Sequence, residues 1–163
     1  MDPLTQIALT RQLIDIDSTT GREGEASQWL AQALSGLGFT VTEQRVEGDR
    51  GNVIATAGPT SAPLVVFSTH FDCVPPFFAS RIEGDRLYGR GSCDAKGILA
   101  AQIAAVDRLR SEGETRVGLV FVVGEERGSD GAREANTAAR GPRSRFLING
   151  GVAPNVVSPS AEA

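Results

Sequence analysis

The sequence predicts an α/β protein, a three-layer αβα sandwich with a mostly parallel sheet, and three observations carry that reading. Apolar runs of strand character, above all Leu64-Val65-Val66-Phe67 and Val117 to Val123, alternate with stretches of helical periodicity. These two runs are almost wholly apolar, as strands buried on both faces of a sheet are. The length of 163 residues, with 40% hydrophobic and 22% charged side chains, suits one ordinary core.

Taken in order, Asp2 can cap a helix whose first position is Pro3, and Leu4, Ile7, Ala8 and Ile14 recur at helical spacing. Thr20 followed by Glu23 fits a capping box that opens a second helix. Its stripe of Ala26, Trp29, Leu30, Ala33, Leu34 and Leu37 ends at Gly38. Strands are expected over 39–46, 53–57 and 64–67, then a small hairpin around Glu83-Gly84-Asp85. Helical periodicity returns over 96–109, a buried strand over 117–123, a helix over 129–139 and a last strand over 145–148. Residues 1–150 thus form one unit, and 151–163, broken by Pro154 and Pro159, reads as a separate short tail.

The totals exclude several function classes. A formal charge of −4 with scattered Lys and Arg offers no cationic track for nucleic acid. No run nears the roughly 18 apolar residues of a membrane span, and Met1-Asp2-Pro3-Leu4 begins no signal peptide, so a cytoplasmic location is expected. Cys73 and Cys93 are expected as reduced thiols. There is one histidine, His70, so a site needing two imidazoles is not built within this sequence.

Ligands of open α/β sheets bind beyond the carboxyl ends of the strands. There the strand at 64–67 leads into Ser68-Thr69-His70-Phe71-Asp72, an imidazole with a carboxylate two residues on, both facing one side in extended geometry. The pair suits a metal ligand, His70, held in one tautomer by Asp72, though on this motif alone a surface histidine paired with an aspartate is the favoured reading. Gly89-Arg90-Gly91-Ser92-Cys93-Asp94-Ala95-Lys96-Gly97 opens the next helix. It is no phosphate loop, because Asp94 would repel an anion and Lys96 is followed by glycine. Asp94 among glycines can approach and bridge two cations, or can simply cap the helix. Gly124-Glu125-Glu126 follows the strand at 117–123, and adjacent carboxylates repel unless a cation separates them or water solvates them. With a metal pair, one glutamate coordinates while its neighbour, pointing elsewhere, takes a proton from the metal-bound water.

Thr69-His70-Phe71-Asp72-Cys73-Val74-Pro75-Pro76, then Leu87 to Gly97, then Gly124-Glu125-Glu126-Arg127-Gly128-Ser129 together resemble the motif set of a zinc peptidase and deacylase family. That family includes acetylornithine deacetylase, succinyl-diaminopimelate desuccinylase, aminoacylase and glutamate carboxypeptidase. The resemblance runs in order and spacing over about residues 1–150, the N-terminal part of the family's catalytic domain. It implies two zinc ions, replaceable by cobalt or manganese, with His70 and Glu126 on different ions and Asp94 bridging them. It also implies Asp72 as the partner orienting His70, Glu125 as general base, an N-acyl amino acid or dipeptide substrate, and a homodimer.

The pattern also departs from the family. Gly151 stands where relatives carry an acidic ligand, and their late histidine has no counterpart. Each zinc would keep two protein ligands where catalytic zinc normally has three. Gly150 to Pro159 resembles a stretch of the family's dimerisation domain, where Asn155 would lack its support, so Asn155 is not taken as a site residue. The expected function is a metal-dependent amidohydrolase of N-acyl amino acids, acetylornithine-like because of Val74-Pro75-Pro76-Phe77, and impaired by the two absent ligands. The alternative is an inactive fragment or metal-poor binding module of the same fold. Cys73 and Cys93, flanking the ligands, are candidates for the vacant places.

Overall fold

The computed structural model describes residues 1–59, 63–137 and 144–151. Residues 138 and 139 of the expected fourth helix, and all of the expected tail beyond Gly151, Asn155 included, lie outside the described residues.

Helix α1 spans Pro3–Ile14 and opens as expected, with the Thr5 N–H donating to Asp2 Oδ1 at 3.0 Å. Helix α2 spans Gly24–Gly36 and buries Ala26, Leu30 and Leu34 along the expected stripe. Its start corrects the sequence reading. Glu23 occupies the N-cap and makes no side-chain cap bond, so no capping box with Thr20 exists. The Glu23 carboxylate is instead drawn inward, where the Gly21 N–H and the Arg50 guanidinium donate to it, because a buried charge is stable only when paired.

Strands β1 (Thr40–Glu47) and β2 (Arg50–Thr56) form an antiparallel pair, and β3 (Val65–His70) follows. The expected hairpin is β4 (Arg81–Glu83) and β5 (Arg86–Tyr88). Helix α3 (Lys96–Ser111), strand β6 (Val117–Val122), the short helix α4 (Asp130–Ala135) and strand β7 (Phe146–Asn149) complete the order. The main sheet runs β1-β2-β6-β3-β7. Helices flank it as the sequence implies, and it is mixed, with β6 and β7 parallel to β3, and β1 and β2 joined antiparallel.

One face packs on α1, α2 and α3 through residues such as Leu13, Leu30, Leu99, Ile103, Leu119 and Phe121. The other face, built on Ile54, Val66, Val120 and Val122, meets Ala135 of α4. Burial of each such side chain contributes about 1.5–3 kcal/mol. Asn52, fully buried, fastens α4 to the sheet: its Nδ2 donates to the Gly131 carbonyl and its Oδ1 accepts from the Val123 N–H. At the edge, β7 leaves Phe146, Leu147 and Ile148 exposed. Among the described residues no helix is long and apolar enough to cross a membrane.

Candidate active site

Because β3 and β6 are parallel and His70 lies opposite Val122, both strands deliver their next residues to one end of the sheet. His70 is the last residue of β3 rather than the first beyond it, since the ladder to β6 continues through Ser68 and Thr69. Gly124-Glu125-Glu126 leaves β6 beside it, and the loop ahead of α3 brings Asp94 across. The N-cap of α3 is Ala95 with no side-chain cap, so Asp94 does not serve as a helix cap. The Asp94–Ala95 peptide is cis.

The side chains named from sequence converge. His70 Nε2 lies 3.1 Å from Asp94 Oδ1 and 3.9 Å from Glu125 Oε2. Ligand atoms of His70, Asp94 and Glu126 all fall within 4.8 Å of one another. On the other side of the ring, Nδ1 is 3.1 Å from the Asp72 carbonyl and 3.3 Å from Asp72 Oδ1. His70 is buried, while the Asp94 and Glu125 side chains are 46% and 50% exposed. The reactive edge therefore faces solvent and the orienting edge faces the core.

Asp72 does more than hold the imidazole. It is fully buried, and its carboxylate also accepts the Thr20 hydroxyl at 2.8 Å and the N–H groups of Glu125 and Glu126 at 3.0 and 3.1 Å. Burial opposes its charge, yet His70, Thr20 and those two N–H groups outweigh it and hold the carboxyl below the usual aspartate range. Local spacing assigned Thr20 a capping role and offered no sign that Asp72 would organise the Glu125-Glu126 backbone. No local spacing joins residues 20, 72 and 125.

Charge at the site is unbalanced without a cation. Burial, followed by the charges of Asp94, Asp72 and Glu125, raises the Glu126 carboxyl despite the opposing effect of His70. Burial works against a charged His70 ring, but Asp72, then Glu125 and Asp94, push it up to about 9. Four carboxylates around one imidazole fit a bound cation, and an imidazole with carboxylates is a donor set that zinc accepts.

Lys96 takes no part in this surface. It is buried and donates to the carbonyls of Leu13 and Ile16, which pins the start of α3 beneath α1 and agrees with the exclusion of a phosphate loop. Gly91, at φ +81°, lets the loop turn above it, where an added Cβ would meet Cys73 Sγ at 2.6 Å. Both cysteines are free thiols, as expected, Cys73 buried and Cys93 exposed. Neither belongs to a metal-type cluster among the described residues. A groove of about 380 Å³ borders the site through His70 and Glu125 and runs past Val66, Leu147 and Gly151. Asp94 and Glu126 are not among its lining residues, and it runs between the sheet face of Val66, Val120 and Val122 and the α4 residues Ala132 and Ala135.

Comparisons with known proteins agree with this geometry. The model of peptidase family M20/M25/M40 matches residues 66–156. The chain is 45% identical over 126 residues to a peptidase M20 domain-containing protein of Schizosaccharomyces pombe, covering 74% of this chain and 32% of that protein. It is 39% identical over 140 residues to a probable carboxypeptidase of Aspergillus clavatus, covering 78% and 31%. The chain thus spans about a third of the length of these curated relatives. Among solved structures, a tripeptidase from Staphylococcus aureus matches with TM-score 0.69 and 25% identity, covering 84% of this chain and 40% of that one. The dipeptidase Dug1p of Saccharomyces cerevisiae matches in fold with TM-score 0.70 and 20% identity, covering 91% and 38%.

The raised His70 value gives a direct check, because the single histidine makes its signal unambiguous. In chelator, the imidazole resonances should titrate near pH 9 instead of near 6.5. The folded value exceeds the unfolded one, so this contribution to stability is fully present below pH 6.5 and is lost as pH rises through 9. Titration near pH 6.5 would contradict the buried pairing with Asp72.

Proposed function

The chain belongs to peptidase family M20/M25/M40, and from that premise we propose that it carries the metal-binding and proton-transfer half of a hydrolase site for the amide bond of a short peptide or N-acyl amino acid. The observation that carries the reading is the meeting of His70, Asp94 and Glu126 within 4.8 Å, with Glu125 beside them. The relatives' names, carboxypeptidase, dipeptidase and tripeptidase, favour peptides over the acetylornithine-like substrate suggested by Val74 to Phe77.

In this reading His70, Asp94 and Glu126, whose ligand atoms lie close enough to share one ion, hold a single zinc per chain in place of the two that the resemblance implies. Three protein ligands with an open place for water is the usual arrangement of catalytic zinc. Bound there, zinc supplies the positive charge that polarises a scissile carbonyl and acidifies water. Asp72 keeps His70 in the tautomer that presents Nε2 as a ligand. Glu125, half exposed and 3.9 Å from Nε2, is the general base: it takes the proton of the attacking water and passes it to the departing amine.

A second reading, that this chain binds metal without turning substrate over, is favoured by one observation. At Gly151, where the resemblance implies an acidic ligand, there is no side chain at all. Among the described residues a Cβ built there meets nothing within 4 Å, and the backbone is outside the left-handed region, so they leave room for a side chain.

Two substitutions separate the readings. With short peptides and N-acyl amino acids as substrates, Glu125→Gln should lower kcat by about 10²–10⁴-fold while zinc content stays unchanged; loss of zinc in that variant would overturn the base assignment. Gly151→Glu should tighten zinc binding at least about tenfold in a competition titration, about 1.4 kcal/mol. Unchanged affinity would remove Gly151 from the ligand positions and with it the case for an impaired site.

A further inference from the structure

We propose that the buried ion pair of Glu23 and Arg50 is a positioning device for the Glu125-Glu126 turn; the proposal rests on the reading of Glu125 as base and Glu126 as ligand. Glu23 is fully buried at the start of α2, and Arg50, at the start of β2, meets it with both arms of its fork. Nε lies 2.7 Å from Oε2 and Nη2 lies 3.0 Å from Oε1. Glu23 Oε1 also accepts the Gly124 N–H at 3.1 Å. Asp72 accepts the next two, so three successive backbone N–H groups, at 124, 125 and 126, are each held by a buried carboxylate.

Gly124 is where these restraints converge. Its φ of +70° is a left-handed conformation that glycine adopts without strain. A Cβ there would collide with Asp130 Oδ1 and lie 2.8 Å from Arg50 Nη2. Arg50 Nη1 in turn donates to Asp130 Oδ2 at 2.9 Å, tying α4 to the same guanidinium. Segments 101 residues apart in sequence therefore fix the residue immediately before Glu125.

General stability is a poor explanation for such a pair. Burying two charges carries a desolvation cost for each, and apolar residues of similar volume often replace such pairs at no loss. What an apolar pair lacks is an acceptor for the Gly124 N–H. Charge-assisted bonds with fixed direction suit a turn whose two following side chains must point to different tasks.

The test is the double variant Glu23→Leu/Arg50→Met on the full chain, with amide hydrogen exchange read by NMR. The amides of Gly124, Glu125 and Glu126 should exchange at least about tenfold faster, while Leu119 to Val122 and the buried turns of α2 keep their protection. Zinc affinity by competition titration should fall about tenfold or more, as it does when groups supporting metal ligands are removed. Unchanged exchange at the three amides overturns the proposal. So does loss of protection spread evenly over β6 and α2, since the pair would then serve stability alone. Should the double variant not fold, Glu23→Gln gives the same reading on a smaller scale, with faster exchange at 124–126 expected and no change contrary. A parent chain that binds no zinc would sink the metal reading by itself, and the exchange data would still decide the positioning role.

Discussion

One buried carboxylate, that of Asp72, is the constraint on which the site depends. It is wholly out of solvent and accepts from Thr20, from the backbone of Glu125 and Glu126, and from the His70 ring. Those partners come from three separate stretches of chain, so this one group sets the distance between the end of β3 and the turn after β6. A buried carboxylate left without donors costs several kcal/mol, which makes the arrangement all-or-none rather than loosely adjustable. With the imidazole fixed from behind, its free nitrogen is presented to Asp94 and Glu125.

The sheet supplies the remaining geometry. Parallel pairing of β3 with β6 puts their carboxyl ends side by side, and the parallel strand β7 brings Gly150 and Gly151 to the same end. There the Gly150 N–H donates to the Ser68 carbonyl, while Thr69 Oγ1 donates to the Gly150 carbonyl at 2.7 Å. The antiparallel strands β1 and β2 lie on the far side of β6 and contribute from beneath, through Arg50 and Asn52. His70 thus sits at the end of β3 and the metal-type carboxylates on loops beside it, and the charges that hold the loops are buried below them.

Much of this was legible in the sequence, for identifiable reasons. The apolar run at 117–123 and the stripe from Ala26 to Leu37 announce burial, and those elements are where they were expected; the run at 64–67 announces a strand, but β3 runs on to His70 and only Val66 of the run is buried. His70, Asp94 and Glu126 were legible because each lies close to the end of a strand or the start of a helix, and topology brings such positions together. Glu23 was misread because its local spacing to Thr20 imitates a capping box, whereas its partners, Arg50 and Gly124, are distant in sequence. Thr20 and the backbone of Glu125 and Glu126 were invisible as partners of Asp72 for the same reason: contacts of long sequence separation leave no local pattern. The brevity of α4 and the antiparallel joining of β2 to β6 likewise depend on tertiary packing.

His70, Asp94 and Glu126 are proposed as a cation site within this chain. The site is tested most directly by dialysing the purified protein against micromolar zinc and measuring bound metal by elemental mass spectrometry, with His70→Ala in parallel. About one zinc per chain is expected in the parent and little in the variant, as for three protein ligands around a catalytic-type ion. Zinc near zero in both, or equal binding in both, would contradict it.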